Sequence, residues 1–267
     1  MVAQAFLLSL FLATITLPSP TSAALPFGHL GPENTVLFLN GFHFLSGDTS
    51  AEISANHWCA IISNDFLQCV VYNTATTPVR LAGIEYIISP TAFESLDSEE
   101  RQLWHSHSYE VTSGFLIEPN MPSTVDHAIM EVLVGTYGKT FHTWRYDQGN
   151  SSIPLGIPEI VMGYTGNSQI TPDFVTKRDA LFGVNTTTIR ESRADIVAPK
   201  VIDGADSWKN GYVFTLELRN TTMNTTFEEG IGLNVKAPMT VTVFFKTRQY
   251  YVNNTDKING ILYSQYR

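Results

Sequence analysis

The sequence predicts an α+β fold: a mainly antiparallel β-sheet with a few helices in one core domain, followed by a β-rich C-terminal extension. Three observations predict it. Short apolar stretches bounded by turn signals recur between residues 57 and 88, and alternating apolar residues return beyond residue 200. Apolar residues at helical spacing occupy only a few intervening segments. The chain has 267 residues, 43% hydrophobic and 12% aromatic, enough to bury a substantial core.

Taken in order, residues 5–17 form an apolar run too short to span a bilayer but suited to a signal-peptide core, broken by Pro18 and Pro20. Residues 1–23 are therefore expected to be a signal peptide cleaved after Ala23, although no Lys or Arg precedes the run. Residues 24–42 read as a loose lead-in, with Val36–Leu39 and Phe42–Phe44 apolar but short. The core domain is expected over 43–190. Its hairpin runs from His57 to Ser63, turns at Asn64-Asp65 and returns over Leu67–Tyr72; a further strand follows at Val79–Ile88. A helix is expected from Ser95 to Trp104, because Asp97 and Glu100 have capping-box spacing. Tyr109–Ile117 then looks extended. Thr124 opens a second helix carrying Val125, Ile129, Val132 and Leu133 on one face, and Gly135 and Gly138 end it. Strands are expected at Lys139–Tyr146 and Leu155–Tyr164, and Pro172 introduces a helix to about Phe182. The extension, 191–267, alternates in the β manner at Tyr212–Leu218, Ile231–Val235 and Met239–Phe245.

The formal charge of -9 and a charged fraction of 15% exclude the basic footprint that a nucleic-acid partner requires. Beyond the leader, no apolar stretch is long enough for a membrane helix. Five sequons, at Asn150, Asn185, Asn220, Asn224 and Asn253, join the leader in predicting a secreted glycoprotein. The two cysteines, Cys59 and Cys69, would close a short loop across the hairpin if paired; two buried thiols fit the pattern as well.

The richest chemistry lies in Leu103–Gly114. His105 and His107 leave the same face of a strand and can reach one metal ion, with His142 or His57 as the source of a third imidazole. Glu110 is the candidate ligand or general base, although on a strand its parity is wrong for that face. It stands three residues past His107, one or two short of the spacing in cupin metal motifs. Imidazoles with a carboxylate suit zinc, iron or manganese. Trp104, Tyr109 and Trp144 would shape a small-molecule pocket. The same histidines, each near a tryptophan, are equally compatible with an aromatic core that satisfies them through backbone carbonyls. Nucleotide-binding, zincin and serine-hydrolase signatures are absent.

Several consecutive motifs resemble one family. His57-Trp58-Cys59, Asn64–Tyr72, Leu81–Ser89, Leu103–Val111, Tyr137–Trp144 and Pro154–Pro158 are similar to the oil-body-associated proteins, from about His43 to Phe182. That resemblance implies association with seed oil bodies and no assigned reaction, cofactor or catalytic residue. Two functions follow as expectations: a binding or surface-associated protein for lipid or another apolar ligand, or a metal-dependent enzyme acting on a small molecule. Oligomeric state is not legible in the sequence.

Overall fold

In the computed structural model, residues 35–76, 78–119, 121–146 and 152–220 are described, together with the backbone of Val241–Phe244. The expected leader, the sequons at Asn150, Asn224 and Asn253, and the strand expected at Ile231–Val235 lie outside these residues.

Six antiparallel strands close on themselves. β1 (Thr35–Leu45), β2 (Asp48–Ser63), β3 (Phe66–Tyr72) and β4 (Leu81–Ile88) pair in sequence order. β4 then pairs with β6 (Tyr137–His142), β6 with β7 (Glu159–Gly163), and β7 returns to β1. The two-residue β5 (His105–Ser106) pairs with Tyr137 and Gly138 on β6. The expectation of a mainly antiparallel, largely β architecture with a few helices holds; its closure into a barrel goes beyond it. Closure leaves β4 and β6 without free edges. Gly83 makes the β4–β6 seam feasible, since a Cβ there would meet the Phe141 carbonyl oxygen at 2.0 Å.

Alternation sorts the strands into an inner and an outer face. One end of the interior is filled by Leu45, Ile53, Ala55, Val71, Ala82 and Val161. The other holds Leu39, Cys59, Cys69, Ile87, Val111, Leu116, Met130 and Leu133. Burying each large aliphatic contributes roughly 1.5–3 kcal/mol, so both ends act as tightly packed plugs. Cys59 and Cys69 are directly opposed on β2 and β3 and are joined by a disulfide. Outside the barrel, Phe42, Phe44, Phe115, Ile160, Met162, Tyr164 and Phe214 form a separate aromatic layer.

The helices are α1 (Pro90–Glu94), α2 (Ser98–Arg101), α3 (Ser108–Ser113), α4 (Ser123–Leu133), α5 (Pro172–Phe182) and α6 (Thr186–Ser192). Asp97 caps α2 by accepting the Glu100 amide at 2.8 Å, as its spacing predicts, but the helix is one turn long and ends before Trp104. α3 stands where an extended segment was expected. Its helical form rests on distant arginines. The Arg193 guanidinium donates to the carbonyls of Val111 and Leu116, both at 2.8 Å, and Arg178 donates to those of Phe115 and Gly114 at 2.9 and 3.0 Å. These bonds tie the end of the short buried helix and the residues after it to distant parts of the chain, a tertiary effect that local propensity does not contain.

Residues 191–214 pack on the barrel. Arg193, Ile196 and Phe214 are buried against it, and Asp206, on β8 (Asp203–Asp206), accepts the Ser106 amide at 2.8 Å and hydroxyl at 2.7 Å. Among the described residues, β9 (Glu217–Asn220) and β10 (Val241–Phe244) pair only with each other.

Candidate metal centre

Between the two apolar plugs lies a polar layer. His43 on β1, His57 on β2, Glu85 on β4, His105 on β5 and His142 on β6 face inward, and His107 and Glu110 enter from the start of α3; all seven are 2% exposed or less. His107 precedes α3 with helical backbone angles, so Glu110, three residues on, lies about one turn above it. That turn removes the parity conflict seen when the segment is read as a strand.

Glu85 is the hub. Its Oε2 is 2.6 Å from His57 Nε2 and 3.9 Å from His43 Nε2. Its Oε1 is 3.2 Å from His107 Nε2 and 3.5 Å from His105 Nε2. Glu110 Oε1 approaches His105 Nε2 at 3.9 Å. Glycines keep this volume open. A Cβ on Gly138 would sit 2.2 Å from Glu85 Oε1 and 2.7 Å from His105 Nε2, and one on Gly163 would sit 2.0 Å from Glu110 Oε1. Donor atoms within 4.8 Å of one another form three overlapping triads: His43–His57–Glu85, His43–His105–Glu110 and Glu85–His105–His107.

The tautomer of His107 can be deduced. The Thr136 hydroxyl donates to the Leu133 carbonyl at 2.7 Å, so its oxygen must accept from His107 Nδ1–H at 2.8 Å. A neutral His107 therefore aims the lone pair of Nε2 at Glu85 Oε1. Two acceptors 3.2 Å apart in a dry interior repel unless a cation lies between them. His57 Nε2, His105 Nε2 and Glu110 Oε1, also turned into this layer, make no well-directed hydrogen bond.

Charges are distributed unevenly. Burial alone would raise the Glu85 pKa, but the His57 charge and the contacts from His105, His107 and His57 outweigh it and hold the carboxyl well below its usual range. Glu110 is pushed well above the carboxylate range by burial, then by Glu85 and Asp206. Burial lowers His43 well below 6.5, helped by the other imidazoles and opposed by Glu85; it lowers His107 against the pull of Glu85. Near neutral pH this gives an ionised Glu85 and neutral His43 and His107.

Of the metal ligands expected from sequence, His105 and His107 converge on Glu85. His142 does not join their triads: its ring centre lies 6.3 Å from that of His43 and 6.5 Å from that of Tyr146. The aromatics expected to line a pocket lie elsewhere. Trp104 packs outside the barrel against Phe93, bonded to Glu100 and covered by Lys139. Tyr109 bonds Asn167 and packs on Phe115, and Trp144 lies under the Arg80 guanidinium. Sequence reasoning missed His43 and Glu85. A signal existed for the second: Glu85 is the one charged residue in the apolar run Leu81–Ile88, on the same side of its strand as Gly83 and Ile87.

Residues 32–197 match the model of a family described as "Protein of unknown function (DUF1264)". The chain is 37% identical to oil body-associated protein 2C of Arabidopsis thaliana, over 68% of this chain and 78% of the relative. It is 39% identical to oil body-associated protein 2A of the same plant, over 64% and 70%, and 38% identical to oil body-associated protein 1A of Zea mays, over 61% and 68%. The chain belongs to the oil-body-associated protein family. No solved structure matches it. The family setting corrects one expectation: secretion, read from the apolar run and the sequons, gives way to the lipid-droplet context of these relatives, since a droplet surface and a glycosylating lumen are different destinations. Among the described residues no helix is long and apolar enough to cross a membrane.

Proposed function

We propose that this chain is an oil-body-associated protein that binds a first-row transition metal in the polar layer of its barrel. One observation carries the reading: four imidazole nitrogens surround one buried carboxylate, and the nitrogen of His107 is held by Thr136 in the tautomer a metal ligand requires. Protons cannot fill the same role at all four rings, because one carboxylate would face four buried positive charges. Imidazole with carboxylate suits zinc, iron or manganese. Ionised Glu85 is the central ligand, and Glu110, 3.9 Å from His105 Nε2, is a second carboxyl within reach of the ion. The reading as an apolar-ligand binder is the weaker one, since the barrel axis is filled by side chains at both ends.

The test is metal analysis of the purified full chain together with thermal unfolding with and without added Zn(II). At a thousandfold excess over Kd, binding stabilises by about 4 kcal/mol, a rise on the order of 10 °C in Tm. His107→Ala is expected to lower metal content and remove most of that rise. Unchanged metal content and an unchanged rise in the variant would refute the site. Droplet association is tested separately, by following a fluorescent fusion in cells that accumulate oil.

A further inference from the structure

The way the donors are grouped says more than that a metal fits, and it rests on the metal-binding reading above. The two oxygens of Glu85 serve different histidine pairs: Oε2 faces His43 and His57, and Oε1 faces His105 and His107. No group of mutually close donors contains both pairs. A first-row ion makes bonds of about 2.0–2.2 Å to nitrogen and oxygen, so its donors stand at most about 4.4 Å apart. Donors that fail to fall within 4.8 Å of one another cannot share one ion without rearrangement. Glu110 repeats the pattern, because its triad takes His43 from one pair and His105 from the other.

We propose that the centre is dinuclear, with one ion on His43 and His57, a second on His105 and His107, Glu85 bridging them, and Glu110 adding a second carboxylate that reaches both halves. The stoichiometry is chemically balanced. Each ion receives two imidazoles and a share of two carboxylates, three to four protein donors, which leaves a position for an exogenous ligand as catalytic sites do. Ions in such sites lie about 3.5–4 Å apart and clamp a small oxygen-donor ligand between them. Gly138 and Gly163 fit this arrangement: a methyl group at either would press against an oxygen of one of the two proposed bridges. The ligand class that follows is a small oxygen donor, such as water, hydroxide or a compact oxyanion, bound between two divalent ions.

The experiment refolds the full-length chain with Mn(II) as the sole metal and measures bound manganese per chain and its magnetic resonance spectrum. The expected result is two ions per chain with the spectrum of an exchange-coupled pair. His57→Ala and His107→Ala should each retain one ion and lose the coupling, and Glu85→Gln should weaken both ions at least tenfold. One ion per chain in the natural protein, without coupling, would overturn the dinuclear centre while leaving a metal site in place. No bound manganese, with none found after loading with Zn(II), would overturn both readings. Stoichiometry and coupling of the unsubstituted protein decide the matter even if the variants fold poorly.

Discussion

Replacing Thr136 by valine isolates the step on which the metal reading depends. The side chain keeps its shape, but the acceptor of His107 Nδ1–H is gone. His107 then has an alternative: it can move its proton to Nε2 and donate to Glu85 Oε1, already 3.2 Å away. In the metal-free protein this exchange partly offsets the lost bonds, so the stability cost should stay at about 1 kcal/mol. In the metal-loaded protein the same exchange is harmful, because the ligand lone pair becomes an N–H that the ion must displace. Loss of such an outer partner weakens metal binding roughly ten- to hundredfold, about 1.4–2.7 kcal/mol. Competition against a chelator of known affinity measures the difference directly. Equal affinities for Thr136→Val and the natural protein would refute the tautomer argument, and with it the reason for preferring a metal ion to a proton beside Glu85.

Three other substitutions probe the surroundings. Gly138→Ala should lower stability by about 1–3 kcal/mol through overpacking and abolish metal binding, since its new methyl group would overlap Glu85 Oε1; metal titration and thermal unfolding check both. Arg193→Met removes the donors to Val111 and Leu116 and the 2.7 Å pair with Asp126, and should cost about 3–5 kcal/mol, read as a large fall in the denaturant midpoint. In the metal-free protein His43 and His107 have lowered pKa values, so below pH 6.5 the unfolded chain binds more protons and stability falls as pH falls. Glu110, with a raised pKa, binds more protons when folded and opposes this above about pH 4.5. Glu110→Gln should therefore steepen the rise of stability between about pH 4.5 and 6.5; an unchanged slope in urea melts at several pH values would contradict the assignment.

Much of the secondary structure was legible because it is locally encoded. Pro172 at a first helical turn, the apolar spacing of 123–133 and the turn at Asn64-Asp65 each carry their own signal. α3 was not legible, because Tyr109 and Val111 favour strands while Arg178 and Arg193, more than sixty residues away, hold the segment helical. β1 was read as two fragments, since Asn40-Gly41 looks like an interruption. Asn40 is instead buried, bonded to Ser54 and Asn56, and Gly41 is paired with Ala55. For the centre, His105 and His107 announced themselves by spacing, whereas His43 and Glu85 come from separate strands and meet only when the barrel closes. No one-dimensional period brings residues 43, 57, 85 and 105 to one point.

The two apolar plugs also set a timescale. Ligands this deeply covered exchange with solvent only when the packed ends of the barrel open, and opening of a core region costs a sizeable part of the global stability. The rates of metal entry and loss would then follow unfolding kinetics rather than ordinary ligand exchange. Occupancy would record which ion was present while the chain was folding, and a later change in the surrounding metal supply would reach the centre slowly.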